Sequence, residues 1–340
     1  MPADDLVLPL SPDLFGECER VLLRGRGATV SAFRYSSGVA ALRLVTRRVE
    51  LVLLPFRGQQ VWRYAVDGEE QTMRTHFDEP AASTVFGETY GGFLLHCGLS
   101  GLGAPGPEDR HAHHGELPNA AYDNVELRIG EREGTTTVAL SGRAAVRTSH
   151  AVSATFEPTL TLSTADTALR LTMDVTNLRR TPLEYAYLCH VNWAPVDGAR
   201  LVQPVTDSGF VVDPHPAQDR ATADYTQRIA ADPELSNLLD LGQPLVPEYC
   251  AILTPTPDEA GWAEFRMVRP DGKSALVGFD TARLPRAIRW ISNTGDEEAA
   301  GFCLPTTSHH HGRAAAAADG VLALLPPGQT HRLEVVVAVL

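Results

Sequence analysis

Residues 160–175, LTLSTADTALRLTMDV, carry the pattern that decides the fold. Apolar side chains occupy every second position of 160–162 and again of 169–175, and polar residues stand between them. Successive side chains of a β-strand point to opposite faces of the sheet, so each segment presents one apolar and one polar face. The polar stretch 164–168 between them supplies a turn. The pattern therefore predicts an antiparallel hairpin with one solvated face.

Similar runs elsewhere predict that strands dominate the chain. They cover residues 28–35, 49–56, 60–66, 124–130, 135–141, 183–194, 263–269, 274–280 and 331–340. Helical periodicity is confined to 217–240, where we expect one or two short helices. This order, without regular crossover helices, indicates an all-β sandwich or barrel. We expect residues 1–340 to form one large domain, because neither a repeat nor a long linker divides the chain.

Composition narrows the class of protein. With 44% hydrophobic and 21% charged residues, the chain can bury a large core. Its formal charge of -13 repels a phosphate backbone, so a nucleic-acid partner is not expected. No apolar run approaches the roughly 18 residues that span a bilayer, and the N-terminus lacks a basic leader, so we expect a cytoplasmic protein without a membrane partner. The five widely spaced cysteines predict buried free thiols rather than disulfides or a zinc ribbon.

Several common enzyme classes are excluded by missing motifs. The chain has no P-loop, G-x-S-x-G or H-E-x-x-H sequence, which argues against P-loop nucleotide sites, serine hydrolases and zincins. Its one lysine, Lys273, follows the turn signal Pro270-Asp271-Gly272. We therefore expect an exposed lysine at the start of a hairpin rather than a Schiff-base nucleophile.

Histidines are the candidate functional residues of this chain. Seven of the twelve fall in three places: His111, His113 and His114; His190; and His309, His310 and His311. The first and third groups lie in loops, where functional sites are common. The alternative is that these histidines are exposed on the surface and have no function. His190 lies in an apolar stretch, and alternation puts it on one face with Leu188 and Asn192. A strand face with a histidine and an asparagine could form the floor of a ligand-binding site. The alternative is that His190 lies in the core and is hydrogen-bonded to a backbone carbonyl.

Five motifs in order resemble a known family. They are residues 54–58 (LPFRG), 91–99 (GGFLLHCGL), 114–119 (HGELPN), 190–192 (HVN) and 284–290 (LPRAIRW). Their order and spacing, over roughly residues 50–315, are similar to the galactose mutarotase (aldose 1-epimerase) superfamily. The resemblance is to the aldose 1-epimerase-like branch with its LP-x-RG and HG-x-x-x-N motifs.

The resemblance implies a large antiparallel β-supersandwich that interconverts the α and β anomers of a free aldose or deoxyaldose. In that chemistry one group deprotonates the anomeric hydroxyl and another protonates the ring oxygen. By the match, His190 is the general acid at the ring oxygen, and His114 binds or orients that oxygen or a neighbouring hydroxyl. The implied sugar-binding residues are Arg57, Asn119, Asn192 and either Trp290 or Trp193. A small-molecule sugar is the implied partner, with no cofactor and no metal.

The sequence departs from the family at the catalytic carboxylate. Family members carry it in a Gly-Leu-Glu-Pro segment, and the counterpart here is Phe302-Cys303-Leu304-Pro305. Leucine cannot take a proton, so either the base has moved or the activity is lost. Glu116, at a position where the family often has Arg, is one candidate base. The other candidates are Asp280, Glu297, Glu298 and one of His309, His310 and His311.

Two alternatives stay open at this stage. The first is a catalytically silent carbohydrate-binding or regulatory protein that retains the sugar cleft, which Leu304 favours. The second is a metal enzyme on the same scaffold, with ligands among His111, His113, His114, His309, His310, His311 and Glu116. Imidazole suits zinc, copper, iron or nickel, but no known metal-site spacing matches. The sequence places no hydroxyl-binding side chain in space, so it specifies neither the sugar nor the oligomeric state.

Overall fold

Strands make up about half of the computed structural model, which describes residues 5–132, 135–149 and 152–340. In chain order they are β1 Leu6–Pro9, β2 Arg20–Gly25, β3 Ala28–Arg34, β4 Ala40–Val45, β5 Val49–Leu53, β6 Val61–Val66, β7 Glu69–Glu70, β8 Leu94–Leu99, β9 Asp123–Arg132, β10 Thr135–Thr148, β11 Val152–Ser163, β12 Leu169–Asn177, β13 Leu183–Val191, β14 Arg200–Val202, β15 Val205–Asp213, β16 Leu245–Pro255, β17 Trp262–Val268, β18 Ser274–Asp280, β19 Arg286–Asn293, β20 Glu298–Thr306, β21 Ala323–Leu325 and β22 Thr330–Val339.

The strands form two antiparallel sheets in the described part of the chain. One has nine strands in the order β1-β9-β10-β11-β12-β22-β18-β17-β14. The other has thirteen, eleven of them in the order β15-β16-β19-β20-β13-β8-β6-β5-β4-β3-β2, while β21 pairs with β13 and β7 pairs with β6. Neighbouring strands are antiparallel throughout both orders, as the alternating sequence predicts.

The hairpin read from residues 160–175 lies in the nine-stranded sheet. Leu160 of β11 faces Leu171 of β12, and Leu162 faces Leu169. All four side chains are buried in the core, while Thr161 and Arg170, which alternate with them, are partly and fully exposed. One-sided burial of alternating residues is the reason that this register holds, because a slip by one residue would expose the whole apolar set.

The apolar faces of the two sheets pack against each other. Leucines of β4, β5, β9, β10 and β11, with one valine, enclose a cavity of only about 10 Å³ between the layers. The hydroxyl of Tyr64, on β6, also crosses between sheets and donates to the carbonyl of Thr167, 2.7 Å away. The expected all-β sandwich is therefore confirmed, in an enlarged form.

Two α-helices accompany the sheets among the described residues. The first, α1, spans Arg220–Ala231 within the expected helical region, and the Asp219 side chain caps it by accepting from the Thr222 amide at 2.7 Å. A 3₁₀ turn at Pro233–Asn237 follows it. The alanine-rich α2, Arg313–Ala318, is not predicted by the sequence. Neither helix is long or apolar enough to cross a membrane.

The cysteine and lysine predictions are largely confirmed. Cys97, Cys189, Cys250 and Cys303 are buried free thiols. Cys18 is the correction, because its free thiol is exposed. Lys273 is half-exposed between β17 and β18, where its ammonium lies 3.2 Å from a carboxylate oxygen of Glu69. A solvated ion pair of this kind does not suit a nucleophilic amine.

Strand β13 has both faces covered, and this positions the site. Tyr187, Cys189 and Val191 point into the core between the sheets. Leu188 and His190 point the other way, into a cavity roofed by loops. The alternation that puts Leu188 and His190 on one face is therefore confirmed.

A buried histidine on β8 makes the stability of the fold depend on pH. His96 is 1% exposed, its Nδ1 lies 2.9 Å from the Tyr187 hydroxyl, and burial lowers its pKa to about 3. In the unfolded chain its pKa returns to roughly 6.5, so below that pH the unfolded state binds a proton that the folded state refuses. Its contribution to stability is complete above pH 6.5 and is lost as the pH falls toward 3.

We expect His96→Phe to reduce the loss of unfolding free energy between pH 7 and pH 5. In the wild type, protonation of His96 in the unfolded state lowers the free energy of unfolding by about 2 kcal/mol over this interval, and the variant lacks this contribution. Urea unfolding at both pH values measures it. His76→Gln, at an exposed histidine, is the control and should keep the wild-type dependence. An equal pH dependence in His96→Phe and wild type would contradict the assignment.

Candidate active site

A cavity of about 550 Å³ lies over the face of the thirteen-stranded sheet that turns away from the core. Its size is typical of a small-molecule site. Six of the twelve histidines line it: His113, His114, His190, His215, His310 and His311. Three carboxylates line it as well: Asp213, Glu248 and Glu297. Such a convergence of titratable groups marks a candidate active site.

The floor of the cavity is set by the register of four strands. Cys250 of β16 pairs with Trp290 of β19, and Ile288 of β19 pairs with Leu304 of β20. Strand β20 in turn pairs with β13, which carries His190. Because side chains alternate, Trp290, Leu304 and His190 all reach the same face. Leu304 thus lines the cavity as an apolar part of its floor.

The loop that carries His114 is held against β8 by its own backbone. The Gly98 amide donates to the His114 carbonyl at 2.8 Å, and the His114 amide donates to the Gly103 carbonyl at 3.0 Å. Gly115 has a φ of 77°, and a Cβ there would collide with the Gly98 carbonyl. The glycine of the HG motif is therefore required by close backbone contact, which fixes His114 at the cavity wall.

His190 is neutral, and its hydrogen bonds fix which nitrogen carries the proton. Its Nδ1 lies 2.7 Å from Oδ1 of Asn192. The amide nitrogen of Asn192 donates to the Gly92 carbonyl at 2.8 Å, so Oδ1 is the atom that faces His190 and accepts from Nδ1. The Tyr90 hydroxyl also donates to this oxygen, at 3.0 Å. Burial lowers the pKa of His190 to about 4, so at neutral pH Nε2 bears a lone pair.

His114 has the opposite tautomer. The Gly103 amide lies 3.4 Å from Nδ1 of His114, and an amide N–H can only donate, so Nδ1 accepts. Burial, followed by the neighbouring His190, holds the pKa of His114 well below its usual value. The neutral ring therefore carries its proton on Nε2. The centroids of the His114 and His190 rings are 5.5 Å apart with the planes at 81°, which places a donor beside an acceptor.

Aromatic rings form one wall. Trp290 lies 5.4 Å from the His190 ring and 5.8 Å from Tyr90, between centroids. Its Nε1 donates to Glu248 at 2.6 Å, which fixes both side chains. Trp193, the alternative stacking residue, is instead fully buried in the core. Of the two tryptophans, only Trp290 can touch a molecule in the cavity.

Arg57 and Asn119, expected to bind sugar, lie outside the cavity. Arg57 Nε donates to Asn119 Oδ1 at 3.1 Å, and its Nη1 donates to the Ala81 carbonyl at 2.6 Å. The amide of Asn119 donates to the Thr89 hydroxyl at 2.9 Å. The pair braces the segment that precedes Tyr90, so its placement here is structural. Asn192 reaches the site only through its hydrogen bonds with His190 and Tyr90.

Glu116 also needs correction as a candidate base. Its Oε2 accepts from the amides of Leu99 and Ser100 at 3.2 and 3.0 Å, and its Oε1 accepts from the Ser100 hydroxyl. It faces a different cavity, of about 610 Å³, away from His114 and His190. A carboxylate held by three donors on the wrong side of its loop cannot take the proton of a molecule bound at His190.

Of the other six candidate bases, three line the cavity with His190 and three do not. Glu297, His310 and His311 line the cavity. The other three have partners elsewhere. The Asp280 carboxylate accepts from the Ala282 amide, and Glu298 pairs with the Arg74 guanidinium. His309 contacts the Asp319 carboxylate.

Sequence reasoning missed Glu248, Asp213 and Tyr90. Glu248 and Asp213 stand on β16 and the end of β15, two strands that show no clear alternation. The one available signal was Glu248 two residues before Cys250 in a mostly apolar stretch, which puts both on one face. Tyr90 precedes the GG motif directly.

Comparison with known proteins places the chain in a family. Residues 25–339 match the family described as Domain of unknown function (DUF4432). The chain belongs to the DUF4432 family. This DUF4432 protein matches no curated protein sequence.

Solved structures show the fold that this DUF4432 chain shares. A candidate aldose 1-epimerase from Klebsiella pneumoniae has a TM-score of 0.84 at 17% identity, over 99% of this chain and 91% of that one. A galactose mutarotase-like protein from Clostridium acetobutylicum has a TM-score of 0.63 at 12% identity, over 93% and 99%. One from Lactobacillus casei has 0.55 at 13%, over 88% and 100%. The galactose mutarotase-like fold that the resemblance implied is confirmed.

We expect ¹⁵N NMR at pH 7 to find both imidazoles neutral and in opposite tautomers. His190 should carry its proton on Nδ1, which is the rarer form, and His114 on Nε2. Long-range ¹H–¹⁵N correlations of histidine-labelled protein measure this, with His190→Gln and His114→Gln for assignment. Asn192→Leu should remove the preference of His190 for Nδ1–H. The same tautomer in both rings, or a protonated His190 at pH 7, would contradict the geometry.

Proposed function

We propose that the cavity binds an uncharged free aldose or deoxyaldose and interconverts its α and β anomers by opening the ring. The observation that carries this is the pair of neutral imidazoles, one an acceptor and one a donor, on a single cavity of sugar size. The names of the structural relatives, aldose 1-epimerase and galactose mutarotase-like, support the same reaction class.

One proton moves in the proposed reaction. Nε2 of His190 takes it from the anomeric hydroxyl, the C1–O1 bond becomes a carbonyl, and the bond between C1 and the ring oxygen breaks. The ring oxygen then receives the proton from the His190 imidazolium, because both oxygens are bonded to C1 and lie within reach of the same nitrogen. Rotation about the bond from C1 to C2 and reversal of these steps yield the other anomer.

His114 acts as a hydrogen-bond donor in this scheme. A neutral imidazole can polarise an oxygen on which negative charge develops, and it needs no change of protonation state to do so. While His190 holds the proton, Asn192 Oδ1 accepts from its Nδ1 and the carboxylates of the cavity favour the positive charge. Histidine thereby replaces the carboxylate that is missing at Leu304, and differs from the expected role of a general acid only in acting first as a base.

The charges of the cavity argue for an uncharged sugar. Among the described residues that line it there are three carboxylates and no Arg or Lys. An anionic substituent would lose its hydration without gaining a fixed cationic partner. Trp290 offers an apolar face to the C–H side of a sugar ring.

Substitution of the two histidines tests the reaction. We expect His190→Gln and His190→Ala to lower kcat/KM equally, by roughly 10²–10⁴-fold, since neither side chain can take a proton. His114→Ala should lower it by about 10²–10³-fold, and His114→Gln by less, because the amide keeps a donor. Polarimetry or NMR saturation transfer on freshly dissolved aldoses measures the rate above the spontaneous one. His331→Gln, on the other sheet, is the matched control.

The pH profile separates the proposed roles. A base with a pKa of about 4 leaves kcat/KM flat from pH 8 to about 5 and lowers it at more acidic pH. A protonated histidine acting as acid would instead lose activity above its pKa. Loss of activity on raising the pH through 6 to 7, or unchanged rates in both His190 variants, would overturn the mechanism.

Leu304 supports a second candidate, a carbohydrate-binding protein without catalysis. Leu304 lies in the floor of the cavity, at the position where the resemblance places a carboxylate, and aromatic rings and histidines line the rest. A sugar that raises the melting temperature of the wild type without accelerating anomerisation would select this function over the first.

Binding should discriminate by charge. We expect a neutral aldose to bind at least tenfold more tightly than the uronic acid of the same stereochemistry at pH 7, because the cavity carboxylates repel it. Isothermal titration calorimetry of EDTA-treated protein with a panel of matched pairs measures the ratio. Equal or tighter binding of the uronic acids would show that the cavity charge does not govern selection.

A further inference from the structure

Three side chains at the cavity wall bring their donor atoms together. Nε2 of His311 lies 2.6 Å from Oδ2 of Asp213, and Nε2 of His310 lies 3.1 Å from the same oxygen. The three donor atoms all lie within 4.8 Å of one another. Asp213 ends β15, whereas the histidines follow β20, so the fold joins segments about 100 positions apart in the chain.

The bend after β20 allows adjacent histidines to converge. In an extended strand, consecutive side chains would point to opposite faces. Here the chain bends at 310 and 311, and both imidazoles reach Asp213. His309 points elsewhere: its Nε2 lies 3.0 Å from Asp319, and its Nδ1 accepts from the His311 amide at 3.3 Å. His309 therefore holds the backbone of His311 in place without joining the cluster.

The chemistry of the three groups matches a transition metal. Two imidazoles and a carboxylate form a common ligand set for Zn²⁺, Fe²⁺ and related ions, whereas Mg²⁺ and Ca²⁺ prefer oxygen alone. Three protein ligands leave at least one position open for water or a ligand. The side chains of Asp213, His310 and His311 are 19%, 20% and 41% exposed, so an ion can enter without unfolding the site.

We propose that Asp213, His310 and His311 bind one divalent transition-metal ion, with its open position facing the cavity. The ion lies between the imidazole nitrogens and the carboxylate oxygen. In the metal-free protein, the protons of the hydrogen bonds occupy this place. Small side-chain rotations shorten the distances to the roughly 2.0–2.2 Å of metal bonds. The two positive charges of the ion offset part of the negative charge of the three cavity carboxylates. No proton transfer of the proposed mutarotation uses this site, and Asp213 contributes to that reaction only through the negative charge of the cavity.

Metal titration of tag-free protein stripped with EDTA tests this site. We expect the wild type to bind one equivalent of Zn²⁺ in calorimetry, with a rise in melting temperature. Co²⁺ should give visible d–d absorption at the same stoichiometry. Asp213→Asn, His310→Ala and His311→Ala should each weaken binding at least tenfold, and the double variant His310→Ala/His311→Ala should abolish it. His331→Ala is the control and should bind as the wild type does.

The variants also separate this site from its neighbours. Circular dichroism and the metal-free melting temperature confirm folding, and His311→Gln serves as a milder change if an alanine variant unfolds. Absence of saturable Zn²⁺ binding by the wild type would overturn the proposal. Undiminished binding by the double variant would do the same, as would loss of binding on substituting His114 or His190 instead. No readout depends on sugar turnover, so failure of mutarotation leaves this result interpretable.

Discussion

The hydrogen bond between Nδ1 of His190 and Oδ1 of Asn192 is the interaction on which the chemistry of the cavity depends. Asn192 is held by the Gly92 carbonyl and cannot turn its amide nitrogen toward His190 without losing that bond. The proton of the neutral imidazole is therefore confined to the nitrogen that faces the protein. Burial removes the alternative of a doubly protonated ring, so the nitrogen that faces the cavity is left as a base.

One strand links this chemistry to the stability of the fold. On β13, the side chains of Tyr187, Cys189 and Val191 complete the core, and His190 stands between them on the opposite face. A shift of register that moved His190 would also expose the core side chains. The packing of the sandwich thus fixes the position of the imidazole as firmly as any contact inside the cavity.

The sequence was a good guide to the fold and a partial guide to the site. Alternation at 160–175 and 183–194 reports burial on one face, a local property that survives folding, and it correctly predicts the hairpin and the face of His190. Motif order indicates which loops belong together, but it does not say which way each side chain turns. Glu116, Arg57 and Asn119 therefore come close to the site in sequence, while their polar atoms are taken by backbone groups and by each other.

Leu304 affects the thermodynamics of ligand binding at the floor of the cavity. A carboxylate there would hold water that a ligand must displace, whereas a leucine beside Trp290 presents hydrocarbon to the C–H edge of a ring. Burying such surfaces together carries a negative change in heat capacity, with affinity that depends on temperature more steeply than hydrogen bonding alone would give. The leucine in the floor of the cavity therefore gives ligand binding a calorimetric signature.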